Sequence, residues 1–446
     1  MKGNIFYNYT PRRDCADANV NLTKHQCDLS TEQQCELLKT CSNITIEDPP
    51  FHSMVEEFDL YCDKAYYATL VSTIQFLGVL FGAITYGHLG DYFGRRPVSF
   101  CGIFVGIVAG ISSGFSPSWQ VFAALRFVCG TSIACILVVF YTYIVELIRP
   151  EQRVFMRSFF NWGYARAVFT VVCMLCDHWR SAAIATSLLA SPTLLAIAFL
   201  LPETPKWYLS KGRLADAKNS RARIKYLSGK EDDSRAVETY TPSSQKIYTM
   251  KDLMKNRTMA TKTFILCSLW FATSLSAFGS DLNSGNLLGD FYVNQIASAA
   301  VTAFAKIILV IACYSTIMCL QIFVPDTSCD GKSARDWAII IINIIGVSFI
   351  ELTWDACYLI AVESFPTYIR TIGMGTCSLA ARIGALVAPQ MAYLSTFYQP
   401  APYMVVVAIG IIAFVISLAF LPNTKGVDLG TIGEENRDEN QEKMQL

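Results

Sequence analysis

Seven ionisable residues within long apolar stretches of the chain are candidates for a functional role. They are Arg126, Glu146, Arg166, Lys306, Glu351, Asp355 and Arg382. A charged side chain at the centre of a bilayer costs about 3 kcal/mol on insertion scales, so such residues indicate binding, gating or a buried ion pair. Glu351 and Asp355 are four positions apart and therefore share one face of a helix. Lys306 is explained by snorkelling of its long stem to the membrane surface.

Aromatic residues accompany these charges. Trp354 and Tyr358 flank Asp355 in the sequence, and Trp270 lies in another apolar stretch. The faces of their rings could hold an ammonium group by cation–π contact. The other interpretation is packing, since most aromatic residues at helical spacing fill a core.

A second group of charges lies in YGHLGDYFGRRP, residues 86–97, between two apolar stretches. The glycines of this segment would allow a tight turn between two closely crossing helix ends. Asp91 could cap the N-terminus of the next helix, where the helix dipole favours an anion. Arg95 and Arg96 could pair with carboxylates at neighbouring helix ends. The alternative is that the segment forms only a hairpin turn whose charges orient the chain in a membrane.

An internal repeat links further charged residues. VELIRPEQR contains Glu146 and Arg153, and VESFPTYIR contains Glu363 and Arg370 at the same separation. FLLPET is likewise echoed by AFLPNT. The offsets of 217 residues (146 to 363) and 220 residues (199 to 419) agree closely, which indicates a duplication. We interpret the two Glu–Arg pairs as gates near helix ends; solvated interfacial charge explains them equally well.

The elements that must position these residues are membrane-spanning helices. The chain of 446 residues is 53% hydrophobic and 16% charged, with a mean hydropathy of +0.36, whereas soluble proteins are about 25% charged. A span needs roughly 20 apolar residues and must be helical, because lipid cannot satisfy open backbone groups. Ten stretches qualify: 65–87, 98–115, 119–147, 155–176, 181–201, 263–281, 291–324, 337–362, 371–397 and 402–421. The sequence therefore predicts an all-α polytopic membrane protein.

Basic residues indicate the orientation of the chain. Residues 202–262 hold 14 Lys or Arg against 7 Asp or Glu, whereas 116–119 and 282–290 hold no Lys or Arg. The positive-inside rule then places 88–97, 148–154 and the long loop in the cytosol, and the N-terminus outside. We expect an extracellular region 1–64, an N-terminal bundle 65–201, a basic cytoplasmic loop 202–262, a C-terminal bundle 263–422 and a polar tail 423–446.

The N-terminal region has the composition of a secreted segment. It carries disulfide candidates at Cys15, Cys27, Cys35, Cys41 and Cys62 and glycosylation sequons at Asn8, Asn21 and Asn43. Five cysteines is an odd number, so one is free or pairs elsewhere, for example with Cys329. A disordered cytosolic tail with incidental cysteines is the other interpretation. Residues 1–20 contain no apolar core of a signal peptide, so we expect the first membrane helix to carry this region outside.

Several segments together resemble a known family. GHLGDYFGRRP looks like the signature loop of the major facilitator superfamily, and PETPKWYLSKGR, ESFPTYIRTIGMGTCSLAARIGALVAP and LPNTKG resemble its organic cation, organic anion and carnitine transporter family. The similarity runs from about residue 8 to 434. It implies two pseudo-repeated helical bundles, a place in the plasma membrane and secondary transport of small organic ions by alternating access. It also implies a cytoplasmic gate formed by Asp91, Arg95, Arg96, Glu146, Arg153, Glu363 and Arg370.

The resemblance also suggests a substrate class. Asp355 falls where cation-transporting members carry an acidic residue, and Arg382 falls where anion and carnitine transporters carry arginine. Having both implies an organic cation or a carnitine-like zwitterion, with Arg382 binding a carboxylate and Asp355 facing the cationic end. Alternatively the two neutralise each other as a buried pair. The substrate-binding residues that we expect are Asp355, Arg382, Glu351, Trp270, Trp354 and Tyr358.

The sequence departs from the family in two places. The family has twelve helices, whereas ten are predicted here, without matches to the first helix or to part of the eighth with its following loop. The counterpart of Asp91 should lie near 308, within AKIILVIACYSTIMCLQIFV, which contains no glycine-arginine loop. We expect 291–324 to form a distorted hairpin or one fused helix. A transport-inactive or regulatory relative of such a transporter is therefore the alternative function, and the side of the C-terminus stays open.

The sequence argues against a membrane enzyme. The four histidines, His25, His52, His88 and His178, are not within metal-ligand spacing of one another, and there is no nucleophile elbow or phosphate loop. We expect no catalytic residue, metal site, cofactor or nucleic-acid partner. The expected partners are a small organic ion and the lipid bilayer; coupling to H⁺ or Na⁺ and the oligomeric state stay open.

Overall fold

The computed structural model divides the chain into two compact units, Met1–Gln245 and Lys246–Leu446. The residues that it describes are 13–15, 35, 44–46, 51–148, 162–228, 254, 257–284, 292–296, 334–365, 370–398 and 400–420. The predicted segment 291–324 therefore lies outside the described residues, except for 292–296. The other nine predicted apolar segments are mostly helical where the structure describes them.

The first unit contains two short strands and ten α-helices within the described residues. The strands are β1 (Arg13–Cys15) and β2 (Ile44–Ile46). The helices are α1 (Met54–Glu57), α2 (Ala65–Phe93), α3 (Arg95–Ser113), α4 (Trp119–Cys135), α5 (Tyr141–Leu147), α6 (Trp162–Cys176), α7 (Trp179–Leu188), α8 (Ser191–Leu195), α9 (Pro205–Ser210) and α10 (Leu214–Ser228). A 3₁₀ turn, Cys62–Lys64, precedes α2, and π turns at Ile136–Phe140 and Ala196–Leu200 follow α4 and α8.

The second unit has four long helices in its described part. They are α11 (Arg257–Asn283), α12 (Ala334–Ser364), α13 (Arg370–Tyr393) and α14 (Ala401–Phe420), with a 3₁₀ turn at Leu394–Thr396. Helices α11 and α13 approach closely, since a Cβ atom on Gly384 would lie 2.5 Å from the carbonyl oxygen of Phe271. Their contact organises a core that includes Leu266, Cys377 and Ala381.

Within the described residues, five helical segments are long and apolar enough to cross a membrane. They are Cys62–Phe93, Arg95–Ser113, Trp119–Leu147, Trp179–Leu200 and Met259–Asn283. Large apolar side chains face outward in both units, among them Leu175 (79% exposed), Phe264 (72%) and Phe199 (70%). Water would penalise such an apolar surface, whereas lipid solvates it. The exterior thus agrees with the predicted membrane setting.

Small residues pack the helices of the first unit against one another. A Cβ atom on Gly102 or Gly106 would collide with Cys135 or Ser132 on α4, and Ser132 Oγ donates to the Gly102 carbonyl at 2.7 Å. Gly78 approaches the Phe127 carbonyl of the same helix. Glycine at four-residue spacing therefore allows these helices to pack closely.

Polar residues define several helix starts. Ser118 caps α4 by accepting a hydrogen bond from the Val121 N–H. Thr204 caps α9 by accepting from Trp207, and Pro205 occupies the first helical turn, where its missing N–H has no cost.

The segment before the first membrane helix is anchored to the bundle. A disulfide joins Cys35 and Cys62, and β1 pairs antiparallel with β2. Glu57 of α1 accepts hydrogen bonds from Trp179 Nε1 at 2.7 Å and Arg180 Nη2 at 2.6 Å. Arg180 also donates to the carbonyls of Gly114 and Ser116 at 2.8 Å each. These contacts hold α1 against the start of α7. The predicted modification sites Asn8, Asn21, Asn43, Cys27 and Cys41 lie outside the described residues, as does the side chain of Cys15.

Candidate functional site

The polar segment 86–97 forms one long helix, a single-residue break and the start of the next helix. Helix α2 continues through Gly87 and Gly90 to Phe93, and only Gly94 lies outside helical conformation, with φ 111° and ψ 157°. The segment therefore contains the predicted tight turn, while Gly87 and Gly90 lie within α2. Gly94 alone makes the turn, because its dihedral angles are open essentially only to glycine.

The carboxylate of Glu203 caps the helix that follows this break. Its oxygens accept hydrogen bonds from the backbone N–H groups of Arg95 at 3.2 Å, Arg96 at 2.9 Å and Thr204 at 2.9 Å. Glu203 is only 7% exposed. Gly94 leaves room for it, since a Cβ atom there would lie 2.5 Å from Glu203 Oε2. An anion at this position satisfies the free N–H groups and complements the dipole of α3.

The predicted capping role of Asp91 is wrong, because Gly94 is the N-cap residue of α3 and Glu203 supplies the anion. The side chain of Asp91 is 77% exposed and its Oδ1 lies 3.0 Å from Arg95 Nη2. The sequence offered one signal for Glu203, the PET motif after an apolar stretch. The motif indicates the internal repeat and the family resemblance, but nothing local connects it to a segment 107 residues earlier.

Arg95 links three helices of the first unit. Besides Asp91 of α2, it approaches Glu146 of α5, with 3.7 Å between Arg95 Nε and Glu146 Oε2. Both side chains of this second pair are largely buried, at 18% and 15% exposure. Arg153, the predicted partner of Glu146, lies outside the described residues. The geometry thus brings together Asp91, Arg95 and Glu146.

Arg96 donates hydrogen bonds to the C-terminal end of another helical segment, the π turn after α8. Its Nε and Nη2 atoms donate to the carbonyls of Ile197 at 3.1 Å and Ala198 at 2.7 Å. These carbonyls belong to the π turn after α8, where the helix leaves its last acceptors unpaired and favours a cation. Tyr143 adds a hydrogen bond to the Pro202 carbonyl at 2.7 Å. The end of α8 is therefore fastened to both α3 and α5.

In the second unit, three of the predicted aromatic residues form one cluster. The ring of Trp270 on α11 lies 5.7 Å from the ring of Trp354 and 4.4 Å from that of Tyr358, both on α12. Trp270 Nε1 donates to the Cys357 carbonyl at 3.3 Å. Trp270 is 1% exposed, so it supports the other two rings from behind, whereas Trp354 and Tyr358 are half-buried. Part of the surface of these two rings is therefore uncovered.

Arg382 on α13 lies beside this cluster. Its guanidinium is within electrostatic range of Tyr358, and its Nε atom is buried without a hydrogen-bond partner among the residues that the structure describes. A buried donor without an acceptor is costly unless something else supplies one. An arginine with an unpaired buried donor, close to the half-buried ring of Tyr358, fits a small molecule that carries an acceptor, such as a carboxylate.

The remaining predicted site residues fall where side chains are not described. Glu351 and Asp355 lie in α12, Glu363 lies near its end, and Arg370 begins α13, but the side chains of all four are outside the described residues.

Comparison with known proteins decides the family. A family model described as sugar (and other) transporter matches residues 19–280, which is more than half of the chain. The chain belongs to this transporter family. The family is part of the major facilitator superfamily, in agreement with the resemblance of the polar segment and its neighbours.

The chain is similar to other animal proteins over most of its length. An uncharacterized protein of Caenorhabditis elegans is 54% identical over 471 residues, covering 99% of this chain and 92% of its own length. The organic cation transporter protein of Drosophila melanogaster is 25% identical over 449 residues, covering 93% of this chain and 80% of its own. Organic cation transporter 1 of Caenorhabditis elegans is 28% identical over 412 residues, covering 84% and 68%.

Solved structures show the same fold. The inward-open xylose transporter XylE from E. coli matches the transporter with a TM-score of 0.61 at 14% identity, covering 81% of this chain and 87% of its own. A crystal structure of a D-xylose-proton symporter gives a TM-score of 0.59 at 14% identity, covering 96% and 97%. The fold is that of the major facilitator superfamily.

Proposed function

We propose that this membrane transporter moves small organic ions, either organic cations or carnitine-like zwitterions, by alternating access. The observation that carries the proposal is the buried Arg382 Nε atom beside the half-buried rings of Trp354 and Tyr358. Arginine binds carboxylates through parallel N–H donors, and aromatic faces bind ammonium groups. The names of the organic cation transporters among the relatives support the same substrate class.

The proposed roles follow the chemistry of each residue. Arg382 binds the carboxylate of a zwitterion, Trp354 and Tyr358 contact its cationic end, and Trp270 holds both rings in place. Asp355 supplies the negative charge for that end, with Glu351 one helical turn earlier in the sequence. We expect a plain cation to use the same rings without Arg382.

The proposed gate lies at the start of α3. Arg95 pairs with Glu146 and Asp91, and these pairs would have to separate when the bundle rearranges. Arg96 and Glu203 bind backbone groups, so they hold the helix ends together while the side-chain pairs exchange. We assign the corresponding role in the second repeat to Glu363 and Arg370, and a role in the first to Arg153.

A transport-inactive or regulatory relative is the second candidate function. The observation that favours it is the sequence near 308, which lacks the glycine-arginine loop that the repeat predicts. A unit without this loop would lose half of the proposed gate while keeping the binding residues.

One experiment separates these functions. The full chain carrying a C-terminal tag is produced in cultured cells, where we expect it at the plasma membrane. Glycosylation at Asn8, Asn21 and Asn43 then reports an extracellular N-terminus, and tag accessibility in intact cells reports the side of the C-terminus. Uptake of a labelled quaternary ammonium ion and of labelled carnitine is measured in the same cells. Saturable uptake of either compound supports transport.

Two outcomes would contradict the proposed transport. Surface expression with saturable binding but without uptake would identify the transport-inactive relative. A C-terminal tag exposed to the outside would mean that the second bundle is inverted, and transport by alternating access would then be abandoned.

A further inference from the structure

Two free cysteines of the second unit meet in the contact between α11 and α13. The thiols of Cys267 on α11 and Cys377 on α13 form a hydrogen bond with each other. Cys377 is 0% exposed, whereas Cys267 is half-buried at the edge of the same core. The proposed transport site uses neither thiol. Two free thiols in contact satisfy the first requirement for a disulfide, which is proximity.

The close packing of α11 and α13 holds these thiols together. Further along the helices, a Cβ atom on Gly384 would lie 2.5 Å from the Phe271 carbonyl oxygen, and one on Gly279 would collide with Met391. These contacts and the thiol pair follow the same order along both helices, so α11 and α13 run side by side in one direction. A disulfide needs Cα atoms within about 7 Å of each other, and closely packed backbones provide this separation.

We propose that Cys267 and Cys377 form a redox-sensitive pair, which a peroxide converts into a disulfide that joins α11 to α13. These two helices also carry proposed binding residues, since Trp270 lies three positions after Cys267 and Arg382 five positions after Cys377. The disulfide therefore restrains the two helices close to the proposed substrate site. Its effect on transport rests on the proposed function, whereas its formation does not.

The reaction requires only the two thiols and hydrogen peroxide. Cys267 reacts first because Cys377 is fully buried. The Cys267 thiolate attacks one oxygen of the peroxide, the O–O bond breaks, and a sulfenic acid and one water form. The Cys377 sulfur then attacks the sulfenic sulfur, so that the S–S bond forms, the S–O bond breaks and a second water leaves. Two thiols are oxidised to one disulfide while one peroxide is reduced to two waters.

The test uses the purified full chain in detergent. The chain is treated with hydrogen peroxide, its remaining thiols are blocked with iodoacetamide, and it is digested with trypsin without a reductant. Cleavage after lysine and arginine releases the peptides 263–306, 336–370 and 371–382, which hold one cysteine each, Cys267, Cys357 and Cys377 respectively. Mass spectrometry then identifies which two peptides are linked.

Cys357 provides the matched control. It lies in the same core as Cys377, but its thiol contacts the Thr273 hydroxyl at 3.5 Å. We expect the link between 263–306 and 371–382 to exceed any link to 336–370 by about tenfold or more, because disulfide formation depends on proximity. The link should form in the parent chain and in Cys357→Ala, be absent in Cys377→Ala, and disappear with dithiothreitol.

Uptake in cells tests the consequence for transport. Peroxide should reduce uptake by the parent chain and by Cys357→Ala, and dithiothreitol should restore it. Uptake by Cys377→Ala should not respond to peroxide, because that chain cannot form the disulfide. Gel filtration confirms that both variants are folded.

Three results would overturn the proposal. Absence of any linked peptide 263–306 in the treated parent chain would show that the pair does not form a disulfide. A link of 371–382 to 336–370 instead would make Cys357 the partner of Cys377. An equal response of uptake to peroxide in the parent chain and in Cys377→Ala would show that the disulfide does not restrain transport. Absence of uptake before treatment would contradict the proposed function alone, because the linked peptide is measured without transport.

Discussion

Glu203 in the first unit and Arg382 in the second are both charged groups withdrawn from water, and their surroundings differ. Glu203 accepts hydrogen bonds from three backbone N–H groups. The Nε atom of Arg382 is buried without an acceptor among the described residues. A fully bonded charge stabilises the fold that surrounds it, whereas an unsatisfied one costs stability until a partner arrives. The difference separates a structural charge from a binding charge.

Removing Glu203 should have the largest effect on stability. The change Glu203→Ala leaves the N–H groups of Arg95, Arg96 and Thr204 without their acceptor, at about 1–3 kcal/mol for a buried donor that stays unsatisfied. We expect a clear fall in the thermal unfolding temperature in detergent and a lower yield of folded protein. Asp91→Ala is the control, because its exposed ion pair contributes less than about 1 kcal/mol. Equal effects of the two changes would show that Glu203 is not the structural anchor.

Removing Arg382 should change selectivity rather than stability. We expect Arg382→Met to reduce uptake of a carboxylate-bearing zwitterion by about tenfold or more, since a hydrogen bond to a charged group contributes about 1.5–3 kcal/mol. Uptake of a plain quaternary ammonium ion should change little, and the unfolding temperature should stay the same or rise.

Two measurements distinguish a substrate-binding role of Arg382 from a structural role. Arg382→Lys keeps the charge but loses the planar fork, so it should recover part of the carboxylate uptake. An equal loss of both substrates together with a lower unfolding temperature would instead identify Arg382 as half of a structural ion pair.

Glu203 and Arg382 also show which features the sequence predicts and which it does not. Apolar length is a local property, so the helices of the apolar segments were predictable. The capping of α3 by Glu203 depends on a contact across 107 residues, which no local pattern encodes. For Arg382 the sequence predicted the residue, through its family resemblance, but the missing acceptor of its Nε atom is visible only in the packed helices.

Substituting Gly94, whose turn makes room for Glu203, should have an effect of intermediate size on stability. Gly94→Ala introduces a Cβ atom 2.5 Å from Glu203 Oε2 and forces φ 111° on a residue that avoids it, at a cost of about 1–3 kcal/mol. Gly212→Ala is the matched control, because Gly212 has φ 71° but nothing within 4 Å of the added Cβ atom. We expect the unfolding temperature to fall more for Gly94→Ala. If both fall equally, backbone strain alone explains the glycine and the contact with Glu203 is unimportant.

Removing the charge of Glu57 should have the smallest effect on stability. Glu57 pairs with Arg180, and both side chains are partly exposed. Burial acts to raise the pKa of Glu57, but the hydrogen bonds from Arg180 and Trp179 and the charge of Arg180 outweigh it, so the pKa lies below its usual 4.5. A depressed pKa adds stability above the unfolded value, and that stability is lost as the pH falls below about 4.5. Since the pair is partly exposed and screened, we expect less than about 1 kcal/mol.

The measurement is the unfolding temperature of the parent chain and of Glu57→Gln between neutral pH and the acid range. The parent should be the more stable of the two at neutral pH, and the difference should shrink below pH 4.5, where Glu57 takes up its proton. A difference that grows toward acid pH would mean that the protonated carboxyl is the bonded form. In that case the hydrogen bonds that hold α1 would not require a charged carboxylate. Glu57 would then differ from Glu203 only in how deeply it is buried.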